Sequence, residues 1–151
     1  MDQTPLRVLL KQKGSEIITV EPGTCIRDCI NVMKKARVGA LLILDAGQLV
    51  GIFTERDVLN RVAGMDLDLD RKPVSEVMTH QVATVGPDLT VTQAMQLVTQ
   101  RRFRHLPIVE HNKLLGLLSS GDLTRWLVSG QELEIEELTK YINQTQRPSP
   151  S

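Results

Sequence analysis

Leu49-Val50-Gly51-Ile52-Phe53-Thr54-Glu55-Arg56-Asp57 is matched 65 residues later by Leu114-Leu115-Gly116-Leu117-Leu118-Ser119-Ser120-Gly121-Asp122. Each copy reads as a short apolar strand that runs into glycine, two further apolar residues, a hydroxyl residue, two variable positions and an aspartate opening a helix. Two chemistries fit that spacing. The hydroxyl side chain can cap the helix while the aspartate offsets the positive end of its dipole. Alternatively, the hydroxyl and the first N–H groups of the helix can hold phosphate while the carboxylate accepts both hydroxyls of a ribose. Duplication in register adds weight to the ligand, although a repeated fold also repeats its caps.

The repetition extends far beyond this stretch. At the same offset Thr19-Val20 falls on Thr84-Val85, Pro22 on Pro87, Leu41 on Leu106 and Ile43 on Ile108, with no gap from Thr19 to Ala63. Pro5-Leu6-Arg7-Val8-Leu9 resembles Pro73-Val74-Ser75-Glu76-Val77 at an offset of 68, so the first copy carries extra residues around 11–18. Internal repetition of this kind dictates architecture. Each copy predicts a short helix (5–11, 73–78), a brief strand (17–20, 82–85) and an amphipathic helix (24–36, 89–101). A strand pair follows (40–44 with 49–53, 105–109 with 114–118), then a closing helix (55–63, 121–128). The apolar stripes of the amphipathic helices are Ile26, Cys29, Ile30, Met33 and Val91, Ala94, Met95, Val98. Thr24 and Thr90 are the expected caps, and Gly64 and Gly130 the expected ends of the closing helices. The chain therefore divides into a first repeat (5–64), a linker (65–72), a second repeat (73–130), a C-terminal helix (131–144) and a disordered tail (145–151). Leu133, Ile135, Leu138 and Ile142 lie roughly on one side of that last helix, which is expected to pack on the body or on a partner.

Composition excludes several classes of function. With 151 residues, 41% apolar and 24% charged, the chain is long enough for one domain or two small fused units and is globular in character. Eighteen basic residues balance eighteen acidic ones, which argues against a nucleic-acid surface, and Phe53, Phe103, Trp126 and Tyr141 are too few for a base-stacking platform. Cys25 and Cys29 lie four apart on one face of an expected helix, a geometry that disfavours a disulfide; without partner His or Cys residues they make no zinc site, and they read as packing. The absence of a signal-peptide pattern or a long apolar run predicts a cytoplasmic protein that does not enter a membrane. No nucleophile–base pair, metal cluster or P-loop is visible, so the chain is read as non-enzymatic.

A β-α-β-β-α unit in tandem, with Gly-apolar-x-Ser/Thr-x-x-Asp between its last strand and last helix, resembles a pair of CBS domains, a Bateman module. The resemblance covers roughly residues 5–130. It implies an α/β fold of the α+β type in which two repeats pack through their sheets with pseudo-twofold symmetry. It also implies two clefts between repeats for adenosine compounds (AMP, ADP, ATP, NAD(H) or S-adenosylmethionine) as regulatory ligands. A homodimer and an unidentified regulated protein are the implied partners. Carried over residue by residue, Asp122 would hold ribose in one cleft, with Ser119 and Gly121 facing phosphate, Leu117 lining the adenine slot, and Ile18, Val38 and Gly39 completing it. In the other cleft Asp57, Thr54, Arg56 and Ile52 take those roles, joined by Ala83, Phe103 and Arg104. Arg56, where the other copy has Gly121, predicts a preference for more phosphate charge beside Asp57.

Arg101-Arg102-Phe103-Arg104-His105 is the densest basic stretch. It either complements a helix C-terminus or carries Arg104 or His105 to phosphates, with Arg101 and Arg102 left in solvent. His105 titrates near neutrality and is a candidate for pH-dependent affinity, or a structural histidine. The competing reading of the whole chain is a structural dimerisation module with empty clefts.

Overall fold

The computed structural model describes residues 2–14 and 17–130. The expected helix over 131–144 and the tail lie outside them. The first repeat comprises α1 (Leu6–Lys13), β1 (Thr19–Val20), α2 (Ile26–Ala36), β2 (Ala40–Asp45), β3 (Gln48–Thr54) and α3 (Glu55–Asp57), which continues as a π-helical turn over Val58–Val62. A 3-10 turn (Val74–Glu76) opens the second repeat, followed by α4 (Val91–Arg101), β4 (His105–Glu110), β5 (Lys113–Ser119) and α5 over residues 120–130. β1 pairs parallel with β2, and β2 antiparallel with β3; β4 and β5 form the equivalent antiparallel pair. Both hairpins turn through two residues of positive φ, Ala46 (50°) with Gly47 (80°) and His111 (51°) with Asn112 (60°), the conformation that matches strand twist. Both carry a register shift at equivalent places, after Ile43 and after Ile108.

The two cores exchange their leading segments. Leu6 and Leu9 of α1 are buried with Val91, Ala94, Leu106, Ile108, Leu118 and Leu123 of the second repeat. Val74, Val77 and Met78 are buried with Ile26, Cys29, Met33, Leu41, Ile43 and Phe53 of the first. Backbone bonds fix the exchange: Leu6 N donates to Leu89 O (2.8 Å) and Val91 N to Thr4 O (2.8 Å), while Ile26 N donates to Lys72 O (3.0 Å) and Val74 N to Thr24 O (2.8 Å). Residues 65–72 accordingly lie against the first repeat, with Leu67 and Leu69 on its core and Arg27 paired to Asp70. A third apolar layer of Ala40, Leu42 and Ile52 meets Val82, Leu114 and Leu117 and joins the two sheets face to face.

Three expectations need correction. Cys25, not Thr24, is the N-cap of α2 and makes no side-chain cap bond, because the Thr24 carbonyl and Cys25 are drawn into pairing with residues 73–74. Thr90 does cap α4, in a capping box with Gln93. No strand forms over 82–85; only Val85 bridges Ile108. The reason is Pro107: in the first repeat Leu42 N donates to Ile18 O, but Pro107 stands at the equivalent position and has no N–H to give Ala83. Finally, Gly130 is itself helical and does not lie beyond the last turn of α5. Cys29 is buried in the core, where burial above all, with Cys25 and Asp28 nearby, pushes its thiol up to about 12, so it packs as an apolar residue.

Candidate functional site

Each copy of the quoted stretch ends in a closed capping box. Asp57 N donates to Thr54 Oγ1 (3.2 Å) and Thr54 N returns a bond to Asp57 Oδ2 (3.0 Å). Asp122 N donates to Ser119 Oγ (3.1 Å) and Ser119 N to Asp122 Oδ2 (2.7 Å). The aspartate therefore follows the hydroxyl by three residues because that spacing satisfies both orphan amides at the start of a helix.

Around Asp57 a cleft of about 250 Å3 opens between the repeats. β3 and α3 bring Ile52, Thr54, Glu55, Arg56 and Asp57, and the approach to β2 brings Gly39. The second repeat adds Thr79, Gln81, Val82 and Ala83 from an irregular segment, and Arg102, Phe103, Arg104 and His105 from the corner between α4 and β4. Asp57 is 7% exposed, the one buried charged residue among the described residues. Its carboxylate also accepts from Thr79 Oγ1 (3.2 and 3.4 Å), and Thr79 is tied in by backbone bonds to Ile52 in both directions (2.8 and 3.0 Å).

The cleft has an apolar slot, a carboxylate and an unbalanced cationic rim. Ile52, Val82, Ala83 and Phe103 give the slot its walls. Residues 80–84 make no backbone hydrogen bonds among the described residues, so their peptide groups, the Ala83 carbonyl freed by Pro107 included, are left for water or the edge of a ligand. Arg56, Arg102 and Arg104 are exposed and make no ion pair among the described residues.

Every residue expected beside Asp57 is thus gathered in one cleft, and so is Gly39, expected beside Asp122. Glu55, Thr79, Gln81, Val82 and Arg102 were not foreseen. Arg102 is exposed, in line with the expectation, and it also borders the cleft, where the chain turns through a left-handed backbone at the end of α4 (φ 57°), equivalent to that of Arg37 in the first repeat.

The residues expected around Asp122 are not brought together in this way. Asp122 borders a cavity of about 550 Å3 lined by Leu9, Gln12, Lys13, Arg125 and Trp126, without Ile18, Val38, Leu117, Ser119 or Gly121. Ile18 packs on the first core, Leu117 lies in the layer between the sheets, and Val38 lines a separate groove beside Val58 and Leu59. Lys13 Nζ reaches Asp122 Oδ2 (2.7 Å) and the Leu117 carbonyl (2.8 Å), and Arg125 pairs with Asp122 Oδ1. Burial alone would raise the Asp122 carboxyl, but Lys13 and the Ser119 bonds prevail and hold it below its ordinary value.

His105 opens β4 and lines the Asp57 cleft, within electrostatic reach of Asp122. Burial lowers its pKa most; Glu55 and Asp122 pull it up, Lys13 and Arg104 push it down, and the balance lies below 6.5. The folded state therefore favours neutral imidazole. Its contribution is intact above about 6.5 and is lost as pH falls through that value toward the depressed folded pKa. Urea midpoints should fall between pH 7 and 5.5, and His105→Gln should flatten that slope; an unchanged slope would remove His105 as its source.

The family model described as "CBS domain" matches twice, over residues 14–64 and 74–129. The CBS domain-containing protein YhcV of Bacillus subtilis is 36% identical over 109 residues, 72% of this chain and 77% of that protein. The mitochondrial CBS domain-containing protein CBSX3 of Arabidopsis thaliana is 30% identical over 150 residues, 93% of this chain and 73% of that protein. Among solved structures, a protein with CBS domains from Burkholderia ambifaria superimposes with a TM-score of 0.80 at 35% identity, covering 85% of this chain and 96% of that one.

Proposed function

Because the chain belongs to the CBS-domain family, whose stand-alone pairs are generally regulatory, we propose that it is a non-enzymatic sensor binding an adenine nucleotide in the Asp57 cleft. One observation carries the reading: three arginines without ion-pair partners among the described residues converge on a slot between the repeats that ends in a buried carboxylate. A molecule with an apolar flat part, a diol and several negative charges matches all three features. The slot between Ile52, Val82 and Phe103 suits the base, Asp57 and Thr79 the ribose, and Arg56, Arg102 and Arg104 the phosphates. That charge favours ATP or ADP over AMP, leaves NAD(H) as a further candidate, and disfavours S-adenosylmethionine, which has no phosphate.

Arg104→Ala tests the reading cleanly, because the side chain is exposed and bonded to nothing the fold requires. Titration calorimetry with ATP should show saturable binding to the unaltered chain and a loss of about 10-fold or more in the variant, the weight of one charged hydrogen bond. Thermal midpoints without ligand should coincide. Equal affinity of the two proteins would remove the arginine rim from the site. Absence of binding by ATP, ADP, AMP, NADH and S-adenosylmethionine alike would favour the second reading, a structural dimerisation module, for which both closed capping boxes speak.

Regulation follows only if the nucleotide has different affinities for two arrangements of the repeats or of their partner. A homodimer belongs to the same reading. Ile30, Met33, Val38, Val58 and Leu59 border one groove, and Leu59 is 71% exposed, an apolar surface that a second copy would cover. A monomeric mass at micromolar concentration would exclude it.

A further inference from the structure

We propose that the two aspartates are unequal by construction: Lys13 occupies the carboxylate of Asp122, and the chain takes a single nucleotide, beside Asp57, until that lysine is displaced. The inference rests on the nucleotide reading above and adds to it a stoichiometry and a lock.

Equivalent atoms in the two repeats meet different partners. In the first, the Thr79 amide donates to Ile52 O (2.8 Å) and the Thr79 hydroxyl to Asp57 (3.2 Å), while Arg61 stands 3.8 Å from Asp57 Oδ1 without a hydrogen bond to it and gives its N–H groups to the Val77 and Met78 carbonyls. Leu117 and Asp122 occupy the equivalent positions in the second. There one group makes both bonds, since Lys13 Nζ donates to Leu117 O (2.8 Å) and to Asp122 Oδ2 (2.7 Å). The substitution changes the chemistry of the carboxylate. A threonine hydroxyl is neutral and can rotate away, so a ribose hydroxyl replaces it bond for bond. An ammonium neutralises the carboxylate, and Arg125 takes Oδ1, so a diol arriving at Asp122 has to displace two charged donors with neutral ones.

The phosphate side is depleted as well. Gly121 stands where the first repeat has Arg56, and Gly39 stands where the second has Arg104. The Asp122 side therefore lacks two of the three arginines that give the Asp57 cleft its charge. Lys13 is the last residue of α1, whose Leu6 and Leu9 are anchored in the second core, so its backbone is fixed and only its flexible stem has to move to open the site.

Lys13→Met keeps the stem and removes the charge, and Lys13 is exposed enough (39%) that the fold does not depend on it. Calorimetry with ATP should give one equivalent per chain for the unaltered protein and two for Lys13→Met, with the second lost again in Lys13→Met/Asp122→Asn. Two equivalents in the unaltered protein, or one in Lys13→Met, would overturn the proposal. A second readout separates the lock from the nucleotide reading: in an NMR titration without ligand, the Asp122 carboxyl should move up in Lys13→Met. No ATP binding by any variant together with that upward movement would sink the nucleotide reading and leave the ion-pair lock standing. No movement would sink the lock.

Discussion

Asp57→Ala should cost about 3 kcal/mol of stability in the absence of any ligand. Loss of the cap accounts for about 1 kcal/mol, and stranding the partly buried Thr54 amide and Thr79 hydroxyl without an acceptor adds about 1–3 kcal/mol. Asp122→Ala should cost distinctly less, since the cations it releases, Lys13 (39% exposed) and Arg125 (72% exposed), return to water. Urea unfolding of the two variants side by side measures the difference. Equal losses would mean that the bond between the repeats through Thr79 contributes nothing. A loss below about 1 kcal/mol for Asp57→Ala would mean that the carboxylate is kept for a ligand alone. Because this substitution weakens the fold, ligand affinity is better read from Arg104, which the fold does not use.

The two aspartates also show how far a sequence can be read. Strands, amphipathic helices and hairpins follow from apolar periodicity and turn residues, and β2, β3, β4, β5, α2 and α4 lie where those signals put them. Failures occur where a distant residue decides the local outcome. The strand expected over 82–85 is lost to a missing N–H at Pro107, more than twenty positions away. Thr24 loses the cap because its carbonyl is claimed by Val74. The π-helical turn over Val58–Val62 has no signature in the apolar spacing.

The candidate site was legible to the extent that it lies inside the repeated unit. Ile52, Thr54, Arg56, Asp57, Ala83, Phe103, Arg104 and His105 meet in one cleft, but Thr79, Gln81 and Lys13 do not stand out in the alignment of the copies. Both missing contacts with aspartate come from the stretch where the offset slips from 68 to 65, so no repeated residue marks them. The slip was itself the available signal. It separates the leading segment of each copy from the rest, and the structure places that segment on the other repeat's core.

That exchange explains the glycine in the quoted stretch, which neither a cap nor a ligand requires. A methyl group at Gly51 would lie 2.3 Å from Met78 Sδ, with the neighbouring methionine carbons at 2.8 and 3.0 Å; one at Gly116 would lie 2.6 Å from a methyl of Leu10. Met78 and Leu10 are equivalents at the offset of 68, each delivered by the exchanged segment across the strand that opens the closing helix. Glycine there is the gap that lets one repeat's leading segment cross the other repeat's sheet. Gly51→Ala should therefore cost about 2–3 kcal/mol, as overpacking of a filled core does, because Met78 is buried and several of its atoms must move together. Gly116→Ala should cost less, since a single methyl of the half-buried Leu10 can rotate away. The decisive comparison is a double-mutant cycle in urea: Met78→Ala empties the space a methyl at position 51 would claim, so Gly51→Ala/Met78→Ala should be more stable than the sum of the single losses allows. Strict additivity would mean that Gly51 serves the strand's own conformation and that the exchange does not depend on it.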